Sequence, residues 1–452
     1  MKKTAILTAI LMLTTAVSAQ NDTAAKKFRF VFHGFVNPHF YADSREVVGG
    51  REDMMLFYPK PVERSSGFDI NDDWNADLLS ITARLNLKVS GPDILGAKTM
   101  AFVEGDFTGS TNASNNDLRL RHAYIQFDWG HSRLLAGQYW YPMVVEDIMP
   151  NTRPLNMGAP FHPYARYNQL RYSGRLKNWE AIAVAMYQQD NMSQGWIDDA
   201  LVSSTKFQRR GGLPELHLQL RYNGPRLLVG AAANMLTIQP HIFTQPFNYT
   251  LYDSQWNWEP SSSINSTLTT FTYSIFLKYR WQKWALSAQT LLNNNLYEGC
   301  SMGGYSVITH YHYPGIGVPS DGVARYYKPW HFNTVWLDFG RTAGHWRPGI
   351  FVGYGRNMDN HSHTLGGGST EFTYVGRGYE IEYLWRVQPR IGWHANEHFN
   401  IYAEAEYTFA QYYKKDYFVL GYPANANLYK LEHDPNGGVG NLRLMLSAEY
   451  RW

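Results

Sequence analysis

The amino-acid sequence predicts an all-β protein, a transmembrane antiparallel up-and-down β-barrel of about 16 strands. Three observations lead to this prediction. Long segments alternate between apolar and polar residues with a period of two, short and long connections follow one another in turn, and the last residue is an aromatic, Trp452. Each observation is weak alone, but their agreement along one chain favours a barrel.

The first nineteen residues have the organisation of a secretory signal peptide. Two lysines precede an apolar stretch from Thr4 to Leu13, and Val17-Ser18-Ala19 forms a small-residue cleavage site. The apolar stretch is too short to span a bilayer. We therefore expect residues 1–19 to be removed during export, leaving residues 20–452 as one barrel domain in the outer membrane of a Gram-negative bacterium.

Composition excludes two other classes of protein. After the predicted signal, no stretch approaches about eighteen consecutive apolar residues, so helical membrane spans are not expected. The 41 basic and 38 acidic residues give a formal charge of +3, which is too balanced for a typical nucleic-acid binder. Aromatic residues make up 15% of a chain that is polar on average. This composition fits a wet lumen and a thin lipid-facing belt.

The alternating segments are long enough to cross a membrane. Residues 441–452 place apolar side chains at every second position, and four further alternating segments lie at 79–89, 269–281, 380–390 and 399–411. A membrane-spanning β-strand needs about nine to eleven residues, whereas strands of soluble proteins average about five or six. We therefore interpret these segments, together with the shorter one at 216–223, as transmembrane strands.

Short and long connections alternate between the strands, as in bacterial outer-membrane barrels. The seven short turns are rich in turn-forming residues and lie at 91–93, 130–131, 177–178, 224–225, 282–283, 343–345 and 395–397. The eight longer connections lie near 42–78, 109–117, 141–168, 189–214, 238–266, 297–330, 357–378 and 413–440. Seven plus eight connections predict sixteen strands. Less regular segments leave counts of about 14 or 18 as alternatives.

The segment from Leu118 to Trp129 is the least regular of the predicted strands. Arg119 and Arg121 have the same parity as the apolar Ile125. Two explanations are open at this point. Either a β-bulge near His122-Ala123 shifts the phase of the strand, or part of this strand faces a partner subunit.

Side chains of the polar parity would face the lumen, and more of them are basic than acidic. The candidate charged lining of the pore is Arg84, Glu104, Asp106, Arg119, Arg121 and Arg171. A basic excess in a narrow aqueous lumen would raise the local concentration of anions. The alternative is that these charges pair with one another as a structural lattice.

The connection from Tyr141 to Asn168 is the candidate constriction. Five prolines stiffen it and keep it from joining the sheet. If it folded into the lumen, it would present charges of both signs, namely Glu146, Asp147, Arg153 and Arg166. A long exposed loop outside the barrel is the alternative.

The end of the chain carries a candidate membrane-insertion signal, Tyr450 and Trp452 on one face of the last strand. A terminal aromatic on an alternating strand is similar to the sorting signal of outer-membrane barrels, so we expect recognition by the barrel assembly machinery. Several tryptophans lie close to the short turns, namely Trp179, Trp281, Trp284, Trp346 and Trp393. Because indole rings prefer the membrane interface, they place the short turns at the periplasmic side.

Signals for catalysis or for a bound group are weak. The pairs His310-x-His312 and His361-x-His363 have strand-like spacing, but no nearby cysteine or carboxylate completes a ligand set. The glycines at 366–368 lack the Lys-Ser/Thr of a phosphate-binding loop. We therefore expect no catalytic residues, no metal and no cofactor.

Five short runs between Leu85 and Tyr172 form a recognisable set: VSGP at 89–92, FVEGDF at 102–107, LRLRHAYI at 118–125, LAGQYW at 135–140 and QLRY at 169–172. Their order and spacing resemble strands three to six of the DcaP-like trimeric porins, channels associated with anionic solutes such as dicarboxylates. The resemblance implies a homotrimer, with Arg119, Arg121 and the 141–168 loop near the eyelet. Members of that family can carry a periplasmic N-terminal coiled coil, whereas here the first strand is expected near Phe28.

The sequence as a whole predicts a porin, a passive diffusion channel for small hydrophilic and preferentially anionic solutes. Its expected surroundings are outer-membrane lipid, and no nucleic-acid partner is expected. Two other functions stay open. One is an outer-membrane barrel enzyme acting on lipid or polysaccharide, and the other is a structural or adhesive barrel plugged by its own loops.

Overall fold

A computed structural model describes residues 28–153, 157–198, 200–242, 266–311, 323–359, 369–414 and 432–452. The predicted signal peptide, His312, the histidine pair at 361–363 and the glycines at 366–368 lie outside these ranges. No helix within the described ranges is long and apolar enough to cross a membrane.

Sixteen antiparallel strands form one closed sheet, so the predicted strand count is confirmed and the alternatives of fewer or more strands are wrong. Strand β1 comprises Arg29–Val36 and His39–Asp43, and β2 comprises Asn75–Leu79 and Arg84–Ser90. The other strands are β3 Lys98–Asp106, β4 Arg119–Asp128, β5 Ser132–Trp140, β6 Arg166–Leu176, β7 Trp179–Tyr187, β8 Glu215–Asn223, β9 Leu227–Ile238, β10 Leu268–Trp281, β11 Trp284–Leu292, β12 Phe332–Arg341, β13 Trp346–Asn357, β14 Ile381–His394, β15 Phe399–Tyr413 and β16 His433–Arg451.

The barrel closes where the last strand meets the first. Phe35 of β1 pairs with Arg451 of β16, and His39 in the second half of β1 pairs with Ser447. At the end of this seam, the Trp452 N–H donates to the carbonyl oxygen of Gly34 at 3.2 Å. Closure leaves no strand edge to meet lipid with unpaired backbone groups.

Each predicted short turn joins two neighbouring strands, and each predicted long connection joins the opposite ends. Gly130 and Gly344 have φ values of 84° and 98°, which explains the glycines at these two turns. The third long connection, loop 3, comprises residues 141–165, because Arg166 and the two residues after it already belong to β6. The predicted end of that loop was therefore three residues too late.

The sheet is apolar outside and polar inside. On β8, the side chains of Leu216, Leu218 and Leu220 are exposed, whereas those of His217 and Gln219 are buried. This arrangement inverts the usual pattern of a soluble protein and explains why period-two alternation persists over such long segments. The exposed apolar side chains form a belt suited to lipid.

The irregular strand is explained by a β-bulge. Leu120 of β4 pairs with Gly105 of β3, and His122 pairs with Glu104, so that Arg121 has no partner across the ladder. The extra residue shifts the phase, and both Arg121 and its neighbour Arg119 become buried inside the barrel. The bulge lies one residue before the predicted position.

The long loops contain short elements of their own. Loop 1, residues 44–74, contains hairpins of Val47–Gly50 with Met55–Pro59 and of Arg64–Ser65 with Phe68–Asp69. The remaining elements are strands Gln194–Ile197, Ala200–Ser203, His241–Ile242, Gly303–Tyr311, Val323–Trp330 and Ser369–Arg377, helix Lys206–Arg210, and 3-10 turns Asn112–Ser114, Pro142–Val144, Glu146–Ile148 and Tyr297–Gly299.

Candidate functional site

Loop 3 leaves β5 and packs inside the barrel. The side chains of Tyr141, Met143, Ile148 and Phe161 are 0% exposed, although the loop belongs to no barrel strand. An external loop would leave such large apolar groups in water, at a cost of about 1.5–3 kcal/mol each. The sequence-based prediction that this loop folds inward therefore agrees with the structure, and the exposed alternative does not.

Loop 3 first contacts the wall formed by β8, β10 and β11. The Asp147 carboxylate accepts from the Arg221 guanidinium of β8 at 2.7 Å. The Asp147 carbonyl oxygen accepts from Lys278 of β10 at 2.7 Å, and Gln289 of β11 donates to the Met143 carbonyl oxygen at 2.9 Å.

The second half of loop 3 reaches the opposite wall. Thr334 of β12 donates to the carbonyl oxygen of Phe161 at 3.1 Å, and the Arg153 N–H donates to the Glu404 carboxylate of β15 at 2.9 Å. The Arg153 guanidinium also lies 3.8 Å above the Tyr402 ring. Because its contacts run from β8 to β15, loop 3 crosses the lumen.

Loop 1 also enters the lumen, a feature that the sequence analysis missed. Met54 and Leu56 are 0% exposed, and the Leu56 carbonyl oxygen accepts from Arg386 of β14 at 3.0 Å. The missed signal was the apolar run from Met54 to Phe57 in an otherwise polar connection. Two loops, rather than one, therefore occupy the barrel interior.

Two buried arginines connect these loops to the barrel wall. Arg386 pairs with Glu406 at 3.1 Å, and Arg443 pairs with Asp43 at 2.6 Å, with all four side chains 0% exposed. Each guanidinium has donors left over after neutralising its carboxylate. Arg386 uses one of them on the Ala159 carbonyl oxygen of loop 3, at 2.7 Å.

The predicted charged lining forms a second buried cluster at the bulge of β4. Arg119 makes a bidentate pair with Asp106, at 3.1 and 3.0 Å. Arg121 donates to Glu104 and to Asp106, each at 2.7 Å, and to the Tyr164 hydroxyl at 3.1 Å. Arg119, Arg121, Glu104 and Asp106 therefore pair with one another. For these four residues, the alternative that the charges form a structural lattice is correct.

Two other predicted lining residues lie beside this cluster. Arg84 of β2 is 3.7 Å from the Glu104 carboxylate and stacks over Phe35 at 5.0 Å. Arg171 of β6 lies over the Tyr139 ring at 5.6 Å. Neither guanidinium forms a close bidentate pair, so both contribute positive potential to the surrounding space.

Arg166 lies beside this cluster and differs from its arginines in the partners of its guanidinium. Its side chain is 0% exposed, and its Nη2 donates to the Tyr164 hydroxyl at 2.5 Å. The guanidinium stacks over Trp140 at 4.4 Å. Its Nε and Nη1 have no hydrogen-bond partner, and no carboxylate pairs with it among the described residues. Arg166 is thus a buried cation without a counter-ion in the described part of the chain.

The lowered pKa of the Tyr164 hydroxyl indicates that the electrostatic potential in this cluster is positive. Burial alone would raise the pKa of Tyr164, but the guanidinium groups of Arg121 and Arg166 lower it to about 7. A phenol whose ionised form is stabilised to this extent lies in a strongly positive field.

Two cavities lie against loop 3. One, of about 280 Å³, is bounded by Glu146, Asp147 and charged residues of β5 to β8. The other, of about 490 Å³, has six cationic lining residues, Arg153, Lys278, Arg341, Arg347, Arg390 and Arg451. Only two acidic residues, Asp338 and Glu397, line that larger cavity. Its residues include members of the short turns, so it opens toward the turn side of the barrel.

The terminal aromatics face outward. Tyr450 is 55% exposed and Trp452 is 43% exposed, both on the apolar side of the sheet. Within the described ranges, no three histidine, cysteine, aspartate or glutamate side chains converge as a metal-binding group.

Comparisons with known proteins add a fold relationship. No protein-family profile and no curated protein sequence matches the chain. The outer membrane channel DcaP of Acinetobacter baumannii has a TM-score of 0.58 and 16% identity, covering 95% of this chain and 100% of that chain. The trimer form of OmpT of Vibrio cholerae has a TM-score of 0.50 and 10% identity, covering 95% and 100%. OmpF of Salmonella typhi, in complex with daunomycin, has a TM-score of 0.46 and 10% identity, covering 94% and 97%.

At these identities the comparisons show a shared fold. The resemblance to DcaP-like porins predicted from the sequence is confirmed at that level. A closed barrel with an apolar outer belt is built to lie in an outer membrane, as predicted. The fold of this chain is therefore that of the porin-type channels of Gram-negative outer membranes.

Proposed function

We propose that this protein is a diffusion channel for small hydrophilic solutes with a preference for anions. The observation that carries the proposal is the lining of the larger cavity, which contains six cationic residues and two acidic ones. Arg390 pairs with Asp338, and Arg451 and Arg153 lie beside Glu449. The positive excess therefore comes from Lys278, Arg341 and Arg347, which have no carboxylate partner among the described residues. Because low-dielectric walls focus the field of such a lining, anions are concentrated relative to cations.

The proposal moves the selective charges away from the first-predicted residues. Arg119 and Arg121 are almost fully buried and paired, so we assign them to holding β3 and β4 together. The charges that meet a solute are instead Arg341 and Arg347 on the turn side of loop 3 and, at the loop itself, Arg153. Loop 3 forms the constriction in this proposal, with Glu146 and Asp147 on its other edge.

The direct test is the reversal potential of the refolded protein in a planar bilayer with a tenfold potassium chloride gradient. We expect the reversal potential to have the same sign as the chloride equilibrium potential. A potential of the opposite sign would overturn the anion preference while leaving the channel itself intact.

A plugged barrel is a second candidate function, because loops 1 and 3 bury large apolar side chains inside the lumen. The same bilayer recordings distinguish the two functions. Discrete conductance steps support a channel, whereas a well-folded protein without conductance supports the plugged barrel. Lipase and glycosidase assays on the same preparation test the barrel enzyme, since one fold can serve several functions.

We also propose that the channel assembles as a homotrimer in outer-membrane lipid. The family resemblance in the sequence supports this state, and so does the fold relationship to the trimer form of OmpT. The exposed Tyr450 and Trp452 would present the insertion signal to the barrel assembly machinery. The protomer count of the detergent-extracted protein, measured by multi-angle light scattering, tests the trimer.

A further inference from the structure

We define loop 6 as residues 293–331, the connection between β11 and β12. A second group of buried polar side chains lies where loop 3, loop 6 and strands β6 and β8 meet, apart from the charges assigned to the channel. Its two acids are Glu215, the first residue of β8, and Glu298, in the 3-10 turn of loop 6. They are 1% and 5% exposed. The two tyrosines Tyr141 and Tyr167, 0% and 1% exposed, complete the group.

Each carboxylate is held in place by one amide. The Asn234 side chain donates to Oε1 of Glu215 at 2.6 Å, and the Gln188 side chain donates to Oε1 of Glu298 at 3.4 Å. Among the described residues, Oε2 of Glu298 has no hydrogen-bond partner, and Glu215 has one further contact, with Tyr141. One oxygen of each acid is therefore oriented by an amide.

The two tyrosines lie side by side, with their rings 5.1 Å apart. The Tyr141 hydroxyl contacts the Glu215 carboxylate, whereas the Tyr167 hydroxyl has no hydrogen-bond partner among the described residues. Both phenols nevertheless interact electrostatically with Glu215 and with Glu298. Met186 of β7 pairs with Glu215 of β8, and Gln188, two residues farther along, donates to Glu298, so the two acids lie near each other.

The cationic side chain that interacts electrostatically with Glu298 is Arg377, and it donates its hydrogen bonds to other groups. Arg377 donates to the carbonyl oxygens of Tyr297 and Ser301, at 2.8 and 2.9 Å. The other titratable neighbours are His217 of β8, which contacts Gln219, and Cys300 of loop 6. Within the described ranges neither carboxylate has a close cationic partner, and such buried charges are costly unless a proton or a metal ion neutralises them.

We propose that this group binds a hard divalent cation of the Ca²⁺ type, held by Glu215 and Glu298 with the hydroxyls of Tyr141 and Tyr167. All four donors are oxygens, which are the ligands that Ca²⁺ prefers, and its flexible coordination accepts neutral oxygens and water in the remaining positions. A bound ion would hold the start of loop 3 and loop 6 to the barrel wall.

The test uses the full chain refolded in detergent without lipopolysaccharide and treated with a chelator. Tb³⁺, which is excited through nearby tyrosines, should give luminescence that Ca²⁺ displaces, with half-saturation near about 0.1–1 mM Ca²⁺. Ca²⁺ should also raise the Tm by about 2–4 °C or more.

Two isosteric variants locate the site. Glu298→Gln and Glu215→Gln should each abolish the Ca²⁺-dependent Tm shift. At pH 9 in chelator, each should raise the Tm because it removes an uncompensated buried charge. Tyr167→Phe, which removes only a hydroxyl, should weaken Ca²⁺ binding by several fold while the barrel folds normally. Glu63→Gln, at an exposed carboxylate of loop 1, is the matched control and should respond to Ca²⁺ like the unmodified protein.

Three results would overturn the proposal. Ca²⁺ might displace no Tb³⁺ luminescence, or the Ca²⁺ response might survive in both glutamine variants. A Tm that depends on pH but not on Ca²⁺ would show that the acids are neutralised by protons alone. None of these results affects the channel proposal, which is tested by conductance.

Discussion

The guanidinium of Arg386 lies 2.7 Å from the carbonyl oxygen of Ala159, a hydrogen bond that connects β14 to loop 3 across the barrel. The same guanidinium donates to the Leu56 carbonyl oxygen of loop 1 and pairs with Glu406. One side chain therefore holds both interior loops while its charge is neutralised within the wall.

We expect the double variant Arg386→Met/Glu406→Gln to release loops 1 and 3 without leaving a buried charge unpaired. Each lost hydrogen bond should cost about 0.5–1.5 kcal/mol of unfolding free energy. The single-channel conductance should rise and become noisier, because the loops narrow the lumen less. Unchanged conductance would show that Arg386 does not position the constriction. Arg133→Met, at a partly exposed pair near a short turn, is the control.

Arg121→Ala should destabilise the barrel with little effect on selectivity. Removing one partner of a buried ion pair typically costs about 3–5 kcal/mol, and Arg121 is 0% exposed between Glu104 and Asp106. Denaturant unfolding followed by tryptophan fluorescence measures the loss. Arg133→Ala breaks a solvent-accessible pair and should cost less than about 1 kcal/mol. A large change in reversal potential in Arg121→Ala would return this residue to the selective lining.

Arg341→Ala/Arg347→Ala should move the reversal potential toward that of a non-selective pore. Both side chains line the larger cavity, and removing them lowers its positive potential. The control is Lys177→Ala, because Lys177 is an exposed cation of another short turn and lines neither cavity. Equal shifts in the two variants would mean that net charge, rather than the cavity, determines selectivity.

Gly34→Val should impair closure of the barrel. A Cβ atom at Gly34 would lie 2.5 Å from the Trp452 ring and 2.8 Å from the Arg84 carbonyl oxygen, so the seam cannot accept one without shifting. We expect less heat-resistant folded protein on cold gels. Gly50→Val is the control, since nothing lies within 4 Å of a Cβ there. Equal folding of both variants would show that the seam tolerates displacement of Trp452.

In chelator, the Tm should fall as the pH rises through about 8. The pKa of Glu298 is raised by burial and by Glu215 from 4.5 to about 8, so the folded protein binds this proton more tightly than the unfolded chain. The resulting stability is complete below about pH 4.5 and is lost as the pH passes 8. Thermal melts at pH 5, 7 and 9 measure the effect, and Glu298→Gln should remove this contribution. A slope that persists in that variant belongs to another group.

The sequence by itself determined the barrel and its sixteen strands. The reason is that every second side chain of a membrane-spanning strand must face lipid, so the alternation of apolar and polar residues is visible in the sequence. Turn residues such as Gly130 and Gly344 then separate one strand from the next. A β-bulge in β4 was one of the two explanations that the sequence left open for its irregular parity, and the structure places the bulge at Arg121.

Only the tertiary structure decided which charges pair and which face the lumen. Arg121 and Arg166 both look like lining arginines in the sequence, but one is paired with two carboxylates and the other with none of those described. The path of the loops was equally hidden, because Arg386 and Ala159 are 227 residues apart. Alternation fixes the side of the sheet on which a residue lies. Its partner depends on where distant strands and loops meet inside the closed barrel.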